Sequence, residues 1–168
     1  MGRWGTVDFK ELQQLQQRLD KLQLNDLDKF CSECAKELAA RLLAKVIKRT
    51  PVGKYGSGTG KNGGTLRRGW TAKSEREAEL SSAFGGSSGA TAYVNDLTIT
   101  KVGNVYQIEI INPVSYASYV EFGHRTRNGK GWVNGLFMLT ISEDELDSQA
   151  PAILEKKLMK YLGDAFNA

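Results

Sequence analysis

Four places in this sequence hold residues whose type and spacing could do chemistry. Cys31 and Cys34 stand three apart, the spacing of a redox pair or of half a zinc site. Zinc needs about four ligands, and the only other soft ligand, His124, lies far away in the chain. A thioredoxin-type pair opens a helix directly after a strand. These two fall inside a long helical pattern, where the spacing also strains a disulfide. They are expected to be buried structural thiols. Gly58 to Gly63 spells G-x-G-x-x-G, which wraps a pyrophosphate only when it follows a strand and starts a helix; here it follows a helix. Nor is it a P-loop, because Tyr55 stands where the first glycine belongs and Asn62 where a hydroxyl should hold magnesium. His124 is the single histidine, so no imidazole pair exists. Glu143, Asp144, Glu145 and Asp147 cluster where they would open a helix and complement its dipole. There is no G-x-S-x-G and no acidic set suited to two metals. The expectation is a protein that is not an enzyme and holds no cofactor or metal.

Charge points to partners instead. The net charge of the 168 residues is +4, but Arg41 to Arg76 holds ten basic residues against one acid, Glu75. Such a window faces a negatively charged partner or water, and one functional reading is a nucleic-acid-binding module using residues 41–76. A smaller basic cluster follows at Arg125, Arg127 and Lys130. No run of about 18 apolar residues is present to span a membrane. The start, MGRWGTVDFKELQQ, has no apolar stretch behind its basic residue and does not read as a secretory signal; synthesis and residence in a cytoplasm are expected.

The elements that must position these residues can be read from periodicity. Leu12, Leu15, Leu19 and Leu22 form a seam about two heptads long, too thin to be stable alone. Residues 1–24 therefore read as a helical arm, and residues 25–168 as one α+β domain. Asn25 or Asp26 can cap a helix whose apolar face is Leu27, Phe30, Cys34, Leu38, Leu42 and Val46. Thr50-Pro51 ends it. Residues 53–64 form a flexible glycine-rich loop. A short strand is predicted over Leu66–Lys73, then a polar stretch and a second flexible patch at Gly85–Gly89. Leu97–Val102 and Val105–Asn112 alternate around Gly103-Asn104, a hairpin signal. Ser115 can cap a short helix, Tyr116–Phe122, ended by Gly123. Residues 124–135 read as a basic loop. A last helix starts at Phe137, with Ser142-x-x-Glu145 as a capping box and Pro151 as a kink or a new first turn. The predicted fold is α+β, a small, mainly antiparallel sheet flanked by two long helices.

Several segments resemble one known family. Tyr116-Ala117-Ser118-Tyr119-Val120-Glu121-Phe122-Gly123-His124 is similar to the Y-A-x-Y-V-E-x-G segment of the tail-completion (neck) proteins of long-tailed phages. Thr50-Pro51-Val52 and, after an insertion, Gly64-Thr65-Leu66-Arg67-Arg68-Gly69-Trp70 resemble that family's T-P-V-x-x-G-x-L-R-x-S signature, with Gly69 in place of the serine. Gly135-Leu136-Phe137-Met138 resembles its P-x-F-[ML] segment, with Asn134-Gly135 in place of the proline. The insertion and the N-terminal helix most resemble versions from prophages of Gram-positive bacteria, headless contractile particles included.

The resemblance implies a structural virion protein that assembles as a ring, a hexamer for instance, at the head-proximal end of a tail. There it would join connector proteins to tube, sheath or terminator proteins, with DNA passing nearby and no cofactor. It would reside in the virion or in a phage-tail-like particle. Candidate interface residues are Arg67, Arg68, Glu121, His124, Arg125, Arg127 and Trp132, because arginine and aromatic residues are enriched at protein contacts. Tyr116, Tyr119 and Val120 are expected to pack the short helix onto the sheet.

Overall fold

The computed structural model describes residues 24–60, 63–84 and 89–167. The predicted leucine seam on residues 12–22, most of the patch at 85–89 and two residues of the glycine-rich loop lie outside them.

Helix α1, Leu24–Arg49, is the spine of the molecule. Its buried positions are Cys34, Ala39, Leu43 and Val46, while Leu27 is exposed. The buried face is centred beside the predicted stripe, and two other helices pack on α1. Thr50 then leaves the helix, as the following proline requires. The thiols of Cys31 and Cys34 are free, the first half-buried and the second buried; burial pushes Cys34 above the usual thiol range.

The predicted strand at 66–73 is instead a short helix, α2, Thr65–Gly69. Its buried residues, Leu66, Gly69 and the following Trp70, recur at three- and four-residue steps, which is helical and not strand spacing. The polar stretch after it is also helical: α3, Glu75–Phe84. The amide of Glu77 donates to Ser74 Oγ at 3.2 Å, and the Glu77 carboxylate accepts from the Lys73 amide at 2.7 Å. This is a reciprocal cap. Helix α4, Ala90–Asp96, buries Tyr93 and Val94 against α1.

Strands β1, Thr100–Val102, and β2, Val105–Gln107, pair antiparallel with Val102 opposite Val105, as the alternation predicted. Asp28 of α1 anchors them, accepting from Lys101 Nζ at 2.8 Å and Tyr106 Oη at 2.6 Å. Helix α5, Ala117–Phe122, follows; its N-cap residue is Tyr116, and Ser115 does not cap it. The Ser115 hydroxyl instead donates to Glu75 at 2.9 Å.

The predicted basic loop is a second hairpin, of β3, Gly123–Arg125, and β4, Trp132–Asn134. Helix α6, Met138–Asn167, closes the chain and runs through Pro151 without interruption. The molecule is α+β as predicted, with long helices α1 and α6 packed together. Among the described residues the strands form two separate two-stranded sheets and not one. The core joins Leu43 and Val46 of α1 to Leu66, Trp70, Ala78, Val94, Val114 and Met138.

Candidate interface at the second hairpin

Two of the sequence segments singled out above meet at Thr50. Its hydroxyl donates to the Val46 carbonyl at 2.7 Å and accepts from the Trp70 indole N–H at 2.8 Å. Its carbonyl receives the Arg67 guanidinium through Nε at 2.9 Å and Nη2 at 2.6 Å. Thr50 is completely buried, so these bonds are made away from water, where a missing partner is costly. Arg67 therefore braces the turn after α1 and is not displayed to a partner. Gly69, the position of the resembled serine, lies where any Cβ would collide with the Asn112 side chain and Val114. The Asn112 amide in turn donates to the Leu66 carbonyl at 2.8 Å.

Part of the rest of the 41–76 window is also engaged. Arg41 pairs with Glu37 at 2.7 Å, Lys45 with Glu145 at 3.0 Å, and Arg49 with the same Glu145. Arg68 also has an interaction within the chain. Lys48, Lys54 and Arg76 are exposed.

Glu121 is not a surface residue. It is only 6% exposed, and its carboxylate accepts from the amides of Leu139 and Thr140, each at 3.0 Å, and from the Thr140 hydroxyl at 2.9 Å. Those amides belong to the first turn of α6, which holds no acid of its own. A carboxylate from α5 thus does the work of an N-cap and complements the helix dipole. The predicted cap, Ser142 with Glu145, is not one. Ser142 is fully buried inside α6 and donates to the Met138 carbonyl at 2.6 Å, while Glu145 faces α1. Glu121 is corrected here from partner contact to internal clamp.

The clamp fixes the base of the β3–β4 hairpin. The amides of Leu136 and Phe137 donate to the Val120 and Glu121 carbonyls at 2.8 and 3.0 Å. Phe137 is the only non-glycine residue with positive φ, 48°, among the described residues. It turns the chain from the hairpin into α6 in a conformation that side chains rarely adopt. Gly123 has φ 86°. A Cβ there would strike the Val133 carbonyl, and one on Gly135 would strike the Glu121 carbonyl.

The tip of the hairpin is organised by its own hydrogen bonds. The Thr126 amide donates to the Gly131 carbonyl at 3.0 Å, and the Gly131 amide returns to Thr126 Oγ1 at 2.9 Å. Asn128 Oδ1 accepts from the Thr126 hydroxyl at 2.6 Å and the Lys130 amide at 3.2 Å. The register sets Arg125 opposite Trp132 and His124 opposite Val133. His124 is half-buried, its ring edge-on to Tyr119 at 5.8 Å. Arg125 and Arg127 are exposed.

Around this hairpin the surface is apolar. Phe122 is 61% exposed, Trp132 58% and Leu136 50%, with Val133, Phe137 and Ile141 also open to solvent. Tyr116 and Tyr119 are exposed as well, against the expectation that they pack inward; Val120 alone of the three packs on the core. The helix is too short to bury both faces, and its inner side is taken by Val120 and Glu121.

What the geometry defines is a small α+β module that displays a braced hairpin of arginine and aromatic side chains. The chain matches, over residues 13–123, the family described as "Bacteriophage HK97-gp10, putative tail-component". It belongs to that family of phage tail components. No curated protein and no solved structure matches it. The β3–β4 hairpin beyond Gly123 and all of α6 lie outside the matched residues. No helix among the described residues is long and apolar enough to cross a membrane.

Proposed function

We propose that this tail component is a structural, non-enzymatic protein that forms a homo-oligomeric ring at the head-proximal end of the tail and completes or joins the tail there. The observation that carries this reading is the β3–β4 hairpin. Its backbone is fixed by a buried carboxylate and by its own turn, yet the side chains of Arg125, Arg127 and Trp132 are exposed. A preorganised, exposed set of arginine and aromatic residues loses little freedom on binding and supplies the residue types that dominate protein contacts. Connector proteins on one side and tube, sheath or terminator proteins on the other are the proposed neighbours.

Nucleic-acid binding through residues 41–76 is the weaker reading. Arg41, Lys45, Arg49 and Arg67 already have partners within the chain, which leaves Lys48, Lys54, Lys73 and Arg76 as the exposed cations to neutralise phosphates among the described residues.

Electron microscopy of particles made with and without this chain tests the proposal. Without it, tails should lack their head-proximal density and remain unjoined or uneven in length; supplying the chain in trans should restore them. Normal particles in its absence would overturn the reading.

A further inference from the structure

One chain carries two exposed, opposite and unanswered sets of charge. On the hairpin, Arg125, Arg127 and Lys130 are exposed, and no ion pair of theirs exists among the described residues. On the second and third turns of α6, Glu143, Asp144 and Asp147 are exposed in the same way and are likewise without an ion pair. Glu145, among them in sequence, turns to Lys45 and Arg49 instead. Glu143 and Asp147 are one helical turn apart, a like-charge spacing that weakens a helix standing alone. Burial, with the carboxylates of Asp147, Glu121 and Asp144 nearby, pushes Glu143 above the usual carboxylate range. Each set lies beside exposed apolar surface: Trp132 next to the arginines, Ile141 next to the acids.

We propose that these two surfaces bind each other between copies, the hairpin of one molecule, with Arg125, Arg127 and Trp132, docking on Glu143, Asp144 and Asp147 of a second. This rests on the ring reading above and names the contact that builds it. Three cations face three carboxylates, and an arginine fork can engage a carboxylate through two parallel bonds. Trp132 and Ile141 supply the apolar part that a charged contact needs for affinity. In a ring each molecule gives its hairpin to one neighbour and its helix to the other, so the contact is heterologous. Repeated head to tail, it closes into a ring or runs on as a filament.

Charge reversal on each side gives the test, read by sedimentation velocity on the full chain. The wild-type chain should self-associate, and rising salt should weaken it. Arg125→Glu with Arg127→Glu, and separately Glu143→Lys with Asp147→Lys, should each stay folded by circular dichroism and associate at least ~100-fold more weakly. Mixing the two variants should restore assembly, because every hairpin then finds an oppositely charged helix on the other variant. If a reversed variant fails to fold, the neutral pair Arg125→Gln with Arg127→Gln replaces it and should still weaken association. A wild-type chain that remains monomeric, or a mixture that does not recover, overturns the proposal. Mass spectrometry of purified tails separates the two readings. A chain that is incorporated but does not self-associate leaves the tail reading standing without this contact. One that self-associates but is missing from tails overturns the tail reading itself.

Discussion

The basic window at 41–76 and the basic hairpin at 124–132 look alike as sequence, yet the fold uses them in opposite ways. In the window, Arg67 is turned inward onto the Thr50 carbonyl, and Lys45 and Arg49 share Glu145 across the α1–α6 contact. Beside the hairpin, at the end of α5, a carboxylate is present too, but Glu121 turns inward to the α6 amides and does not pair with Arg125 or Arg127. A positive charge thus reports on function only after the chain's own acids and carbonyls have been assigned.

Four measurements would break or sharpen that contrast. The largest effect is expected at the clamp. Glu121→Ala leaves two amides and a hydroxyl without their acceptor, and urea unfolding should show a loss of ~2–4 kcal/mol. Arg67→Met keeps most of the side-chain bulk and removes the charged bonds to Thr50, for a loss of about 1.5–3 kcal/mol in the same assay. A stability unchanged by Arg67→Met would return that residue to the surface set.

Acidification comes next. Lys157 first and Arg41 second hold Glu37 below the usual carboxylate range, and Lys45 with Arg49 do so for Glu145. A depressed folded-state value contributes stability that is fully present above the unfolded value of about 4.3. It is lost as pH falls through the lower, folded one. The urea midpoint should therefore fall below about pH 4.3, and less steeply in Glu37→Gln with Glu145→Gln. Smallest of all is the hairpin: Arg125→Gln with Arg127→Gln should move stability by less than ~0.5 kcal/mol, since both side chains are exposed and neither is ion-paired among the described residues. A larger loss would mean that the hairpin is part of the fold's own support.

Local signals made much of this fold legible, and their failures have one cause. The Thr50-Pro51 stop, the Gly103-Asn104 hairpin and the glycine at the end of α5 are dictated by φ restrictions within a few residues, and all three were read correctly. The S-x-x-E signature occurs three times, at Ser74–Glu77, Ser118–Glu121 and Ser142–Glu145, and only tertiary context separates them. Ser74 and Glu77 form a true cap. Ser142 and Glu145 lie inside a helix already started by Glu121, eighteen residues before Leu139. That clamp has no local signature beyond an acid in an otherwise apolar short helix. The arginine roles failed likewise, because the acceptor for Arg67 is a carbonyl seventeen residues away. Trp132 and Arg125 needed pairing between strands to be seen as neighbours.

The glycines at the base of the hairpin have a consequence in evolutionary terms. Gly123 and Gly135 each press a bare backbone against the opposite carbonyl, so mutation at either should be purged. Between them Thr126, Asn128 and Gly131 hold the tip, while the exposed side chains of Arg125, Arg127 and Trp132 can drift. The family match ends at Gly123, where that freedom begins. Descendants of one ancestral tail component can then exchange neighbours by rewriting those outward positions, while inheriting the turn and the body beneath unchanged.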